Sequence, residues 1–116
     1  MTTVKIKRVY EAPHLEDGTR ILVDRIWPRG VKKEDARIDL WLKDIGPSSD
    51  LRKWFGHDPK RWPQFRAKYI QELGFKKGDL SVIIRAATEG PVTLIYAARD
   101  ESHNQAVILQ EIVSRA

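Results

Sequence analysis

The residues best able to do chemistry in this chain are two aspartates and a set of arginines and lysines near tryptophans. "RILVDRIWPRG", Arg20 to Gly30, runs an apolar stretch straight into Asp24, Arg25, Trp27 and Arg29. "WLKDIG" supplies Lys43, "LRKWFGHDP" supplies Arg52 and His57, and "AARDESHN" supplies Asp100 and Asn104. A guanidinium donates two parallel hydrogen bonds, which suits a phosphate. Arg25, Arg29 and Lys43 would therefore hold an anion, with Trp27 or Trp41 stacking on a base or ring. Asp24 or Asp100 would handle protons. Arg52, His57 and Asn104 complete the candidate ligand-binding set.

Each residue also has a plainer role. Asp24 beside Arg25 reads equally as an ion pair holding a loop. Asp100 and Ser102 can cap a helix, and capping suits Ser102 better than catalysis. His57 precedes a helix and can bond to backbone. His14 and His103 have no metal-ligand company in sequence, so no metal and no cofactor is expected. The nucleotide-binding patterns GxGxxG and GxxxxGK are missing, and no serine sits in a nucleophile elbow.

Composition narrows the class of protein. At 116 residues the chain fits one domain, residues 1–116, large enough to bury a core. It has no cysteine, which excludes disulfides, a thiolate nucleophile and cysteine-based zinc sites. No secretory signal and no run of 18 apolar residues is present, so a cytoplasmic protein without membrane contact is expected. Net charge is +5, and residues 20–66 carry 12 Lys/Arg against 7 Asp/Glu together with all four tryptophans. A basic, aromatic-rich segment favours a phosphate-bearing small molecule, a nucleotide or nucleic acid as partner. The competing reading is a merely solvated basic surface. Oligomeric state is not readable.

The elements that must position these side chains follow from periodicity. Val4 and Ile6 alternate with Lys5 and Lys7, which predicts a first strand with one wet face. Glu16-Asp17-Gly18 turns into a second strand, about Thr19 to Arg25, apolar on consecutive positions and so covered on both faces. "KKEDA" makes a short helical turn. "IDLWLKDI" alternates again and reads as a third strand, or else as a helix end. Ser48 or Ser49 caps a helix carrying Leu51, Trp54 and Phe55, and Asp58-Pro59 starts another. Trp62, Phe65, Tyr69 and Leu73 make that helix's buried stripe, with Gly74 as its stop. Asp79 is expected to cap a helix with Leu80, Ile83, Ile84 and Ala87. "PVTLIYAA", Pro91 to Ala98, is the clearest strand. The last helix is expected to start at Ser102, with Gln105 closing a capping box.

Strands separated by helices predict an α/β fold with a mainly parallel sheet of about four strands flanked by helices. In such sheets ligands sit beyond the carboxyl ends of the strands. That rule would bring Arg25, Arg29 and Lys43 to one opening beside Asp100 and Asn104 at the start of the last helix, where unpaired backbone N–H groups favour anions.

"DGTRILVDRIWPRG", "WLKDIGPSSDLRKWFGHDPKRWPQF" and "VTLIYAARDESHNQAVIL" together resemble the YeaO-like family of bacterial and archaeal proteins over nearly the whole chain. The matching positions are Asp24, Arg25, Trp27, Pro28, Arg29, Lys43, Arg52, Trp54, His57, Trp62, Asp100 and Asn104. The resemblance implies no particular activity. More distantly, the family is similar to the Rossmann-like domains of rhodaneses and cysteine phosphatases, which implies a Rossmann-like three-layer sandwich. Those proteins act through a cysteine in a strand-to-helix loop. The matching loop here, Ala97 to Asn104, has none, which leaves anion binding but not thiolate chemistry. Three readings result: a pocket for a phosphate-bearing small molecule or nucleotide, with or without catalysis; a nucleic-acid-binding or base-modifying module on the same basic face; and a structural ion-pair network with no ligand.

Overall fold

A computed structural model describes residues 4–116. Four short strands form one parallel sheet: β1 (Val4–Arg8), β2 (Thr19–Leu22), β3 (Leu40–Trp41) and β4 (Val92–Tyr96), in the order β1-β4-β2-β3. Five helices join and cover them: α1 (Lys33–Ala36), α2 (Ser49–Phe55), α3 (Trp62–Leu73), α4 (Lys77–Glu89) and α5 (Gln105–Ser114). The protein is an α/β sandwich with a parallel sheet, as strand–helix alternation predicts. Among the described residues, no helix is long and apolar enough to cross a membrane.

β4 pairs with β1 on one side and β2 on the other, and all five of its residues are buried. Successive side chains on a strand face opposite ways. Val92, Leu94 and Tyr96 accordingly join Ile21 and Val23 in the larger core, with Phe55, Phe65, Tyr69, Ile83 and Leu109 from the helices. Leu22 and Ile95 point the other way, into a smaller cluster with Ala36 of α1 and Trp27. The sheet thus has a thick helical layer on one face and a thin layer of α1 and loop on the other.

Local signals place most helix ends. Ser48 caps α2, its hydroxyl accepting from the Leu51 N–H at 3.2 Å. Asp58 accepts from the Lys60 N–H at 3.0 Å and opens a 3₁₀ turn, Pro59–Arg61, that runs into α3. Two expected caps are corrected. α4 begins at Lys77, so Asp79 lies in its first turn, where its charge favours the helix dipole without capping. α5 is capped by Asn104, whose side-chain oxygen accepts from the Val107 N–H at 3.2 Å, and Ser102 stays in the preceding turn.

Two strand expectations are also corrected. β2 ends at Leu22 rather than Arg25, although Val23 still donates to the Ile95 carbonyl at 3.0 Å. Of residues 38–45, only Leu40 and Trp41 form a strand, and Lys43–Ile45 is a 3₁₀ turn. β3 is an edge strand, and the next turn of chain folds inward to bury Ile45, which breaks the alternation.

A buried ion pair that the sequence does not advertise ties β2 to the thin layer. Arg20, only 3% exposed, donates to Asp17 at 2.5 Å and to the Ala36 carbonyl at the end of α1. Lys7 also reaches Asp17 at 3.1 Å, and the Thr93 hydroxyl donates to the Asp17 carbonyl. Gly18, the next residue, has φ +66°, and a side-chain carbon there would lie 2.1 Å from the Pro91 carbonyl oxygen. Only glycine fits that turn.

Candidate functional site

The carboxyl ends of β2 and β4 open into a cleft of about 660 Å³. One wall is the segment after β2, with Asp24, Arg25 and Ile26. A second is the loop from β4 to α5, with Ala97 to Asp100 and His103 to Gln105. The third is α2 and the turn after it, with Arg52, Phe55 and His57; Phe65 of α3 and Pro47 also line the space. The lining is thus an apolar floor with charged groups around it.

Asp24 is the most constrained of these groups. One carboxyl oxygen accepts from the Ala97 N–H at 3.0 Å and the other from the Gln105 amide. Its own backbone carbonyl accepts from the Trp41 indole at 2.7 Å. Burial pushes its pKa up to about 6, against the pull of the Ala97 and Gln105 hydrogen bonds and the Arg52 charge. It is a carboxyl group that can change protonation near neutral pH.

Asp100 is its opposite. One oxygen accepts from the Ser102 and His103 N–H groups at 2.9 and 3.0 Å, and the other meets the His103 ring nitrogen at 2.9 Å. The Ser102 N–H, then the His103 ring, hold the carboxyl below its usual range. The His103 ring in turn lies edge-on to Trp62, 5.2 Å between centroids. Asn104 is buried with both ends of its amide occupied, donating to the Asp100 carbonyl at 2.9 Å and capping α5. Arg8 of β1 braces the same loop by donating to the Ala97 and Ala98 carbonyls.

The cleft arginines differ in what they already hold. Arg25 donates to the Pro47 carbonyl at 3.1 Å and the Gly46 carbonyl at 3.0 Å, so its fork is committed to the chain. Lys76 donates to the same Gly46 carbonyl at 2.9 Å. Arg52 and Arg99 line the cleft, and neither guanidinium makes a hydrogen bond or ion pair to a described residue. His57 is exposed and has φ +57°, a conformation that L-residues other than Asn, Asp and His seldom adopt.

The structure thus brings Asp24, Arg25, Arg52, His57, Asp100 and Asn104 together around one cleft. The expected gathering of Trp27, Arg29 and Lys43 at the same opening does not occur. Trp27 turns to the thin layer, donates to the Val31 carbonyl and meets Trp41 edge-on at 5.5 Å. Arg29 is exposed on the loop beyond, its carbonyl accepting from the Tyr10 hydroxyl. Lys43 sits over the Trp41 ring at 5.7 Å, because the 3₁₀ turn replaces the strand that would have aimed it at the cleft.

Several cleft residues stand outside the expected site. Gln105 reads as half of a capping box, yet its amide holds Asp24, 81 residues earlier, and no local pattern reveals such a pair. Arg99 and His103 are not among the candidate binding residues, but they follow the last strand, where the topology rule already places them at the opening with Asp100 and Asn104. Phe55 and Phe65 read correctly as core stripes, but their edges also floor the cleft.

Fold and site together define an α/β protein whose cleft sits at a strand-to-helix loop without a cysteine. The sequence matches the family described as the inactive DUF488-N3 subclade over residues 3–116, and the chain belongs to that family. It is 40% identical to the uncharacterized protein YeaO of Escherichia coli strain K12 over 108 residues, covering 93% of this chain and 94% of that one. It is 37% identical to the uncharacterized protein Rv3073c of Mycobacterium tuberculosis strain H37Rv over 113 residues, 97% of this chain and 95% of that one. The YeaO-like resemblance of the three motifs is therefore one of family. No solved structure matches.

Proposed function

We propose that the cleft binds a small phosphate-bearing molecule with an apolar or aromatic part, such as a nucleotide, and that it does so without turnover. The observation that carries this reading is the contrast among its arginines. Arg25 is committed to two backbone carbonyls, whereas Arg52 and Arg99 face the space without a partner among the described residues. Unpaired guanidinium groups beside Phe55 and Phe65 suit a guest with an anionic end and a ring. At the start of α5 the Val107 N–H is taken by Asn104, while those of Gln105 and Ala106 have no acceptor among the described residues and add to the pull on an anion. Asp24, half-protonated near pH 6, can sit beside such a guest with little repulsion below that pH.

Binding without turnover agrees with the description of the family as an inactive subclade. It also agrees with the state of the two aspartates first considered for proton handling. Asp100 is saturated by its own loop, and Asp24 is held by Ala97 and Gln105.

Thermal-shift and calorimetric titration with nucleoside monophosphates and simple phosphate esters test the reading. A guest that stabilises the protein should lose about 10- to 100-fold in affinity in Arg52→Ala, the value of a charge-assisted hydrogen bond. If no phosphate ester stabilises the protein, or if an Arg52→Ala/Arg99→Ala double variant binds as well as the natural chain, the cleft is not an anion site.

A further inference from the structure

α2 is shared between two hollows. Arg52 and Phe55 face the cleft, while Leu51 and Trp54 line a separate groove of about 530 Å³ against α3. The groove is completed by Lys68, Gln71 and Phe75, with Asp50, Ser48 and Glu72 at its edge. Two features need explaining. Phe75 is 93% exposed, a large ring held in water just after α3. Trp54 is met by two cations, the Lys68 ammonium at 4.5 Å and the Arg61 guanidinium at 5.4 Å from its ring centre.

We infer that this groove is a second binding site, one that takes a short segment of single-stranded nucleic acid. An exposed ring, Phe75, beside a half-buried one, Trp54, that carries two cations offers what such a strand requires, because every base has a face to stack and every linkage a negative charge. The charge around the groove is complementary. Lys53, Lys60, Arg61 and Lys68 are exposed on or beside α2 and α3. Of the two acids lining it, Glu72 has both carboxyl oxygens occupied by the Ser48 hydroxyl and the Ser48 N–H, and Asp50 lies exposed at the rim. Gln71 offers an uncommitted amide that can pair with a base edge. An extended peptide finds less here, because helices and not a free sheet edge form the walls.

Fluorescence anisotropy with labelled single-stranded DNA and RNA ten-mers, at low and high salt, tests the inference. The natural chain should bind, and affinity should fall steeply as salt rises. Phe75→Ala should weaken binding about tenfold, in keeping with the loss of one stacked base. Lys68→Ala should lower the salt slope by about one. Phe75→Ala carries the test, since a ring in water contributes nothing to the core and the variant will fold; it should leave phosphate-ester binding in the cleft unchanged. The inference is overturned by any of four results: no binding at low salt, full binding by Phe75→Ala, equal binding of a glutamate-rich peptide with the same variant pattern, or self-association of the natural chain that Phe75→Ala abolishes. Loss of oligonucleotide binding in Arg52→Ala but not in Phe75→Ala would also overturn it, placing the strand in the cleft.

Discussion

Asp24 and Asp17 are both drawn into the protein, yet they respond to burial in opposite ways. Asp24 is raised to about 6 because the two dipoles and one distant arginine around it do not offset desolvation. At Asp17 burial is outweighed by the His14 N–H, then Lys7 and Arg20, and the carboxyl falls to about 2. The signs of their stability contributions follow. Asp24, with a folded pKa above its ordinary value of 3.8, favours the fold fully below pH 4 and loses that contribution as pH rises past 6. Asp24→Asn keeps the shape and both hydrogen bonds once Gln105 turns its amide over. The variant should therefore be more stable than the natural chain at pH 7, by up to about 3 kcal/mol, and little different at pH 4. Urea titrations at the two pH values decide this, and an equal loss at both would mean that the amide cannot take over the carboxyl group's hydrogen bonds. His57 invites a second comparison. Its left-handed backbone costs on the order of 1 kcal/mol in an L-residue, so His57→Gly should raise the melting temperature. Reduced phosphate-ester binding in the same variant would show that the His57 imidazole contributes to the cleft.

At the level of elements, turns and caps carry most of what can be tested. Gly18→Ala forces a carbon into the Pro91 carbonyl and a disfavoured φ, and should cost at least about 2 kcal/mol by chemical denaturation. Asn104→Ala removes the α5 cap and the bond to the Asp100 carbonyl, with an expected loss of about 1–2 kcal/mol. How legible each element was in the sequence depends on range. α2, α3 and β4 were readable because Ser48, the Phe65–Tyr69–Leu73 stripe and Val92–Tyr96 announce themselves within a few residues. The third strand reads too long in the sequence because alternation continues through Lys43 after the chain has left the sheet. The helix start at Asn104 is hidden in the sequence because Ser102 and Gln105 imitate a capping box, while Asp100 claims the N–H groups of that turn.

For the whole molecule, topology did what sequence alone could not. The rule that ligands gather beyond parallel strand ends finds the cleft and several of its residues, since it depends only on β2 and β4 being parallel neighbours. It could not tell which side of the sheet Trp27 would take, nor that Arg25 would be absorbed by the Gly46 and Pro47 carbonyls. Partnerships such as Asp24 with Gln105 or Arg8 with Ala98 span most of the chain and are set only when the sheet order is. Arg20 belongs to the same scale, because it joins β2, the Asp17 turn and α1 at once. Arg20→Met should leave Asp17 buried with only Lys7 and the His14 N–H for company and destabilise the protein by about 3–5 kcal/mol. Denaturation of that variant near neutral pH measures the loss.

The Ala97 N–H donates to the Asp24 carboxylate at 3.0 Å, at the point where the central strand hands over to the loop. A proton shared in this way feels the charge of the oxygen it faces. Its nitrogen–proton resonance will move as the aspartate titrates and move again when a guest displaces that equilibrium. One backbone signal therefore serves as a built-in meter for the cleft, readable in the natural chain without label or substitution at the site.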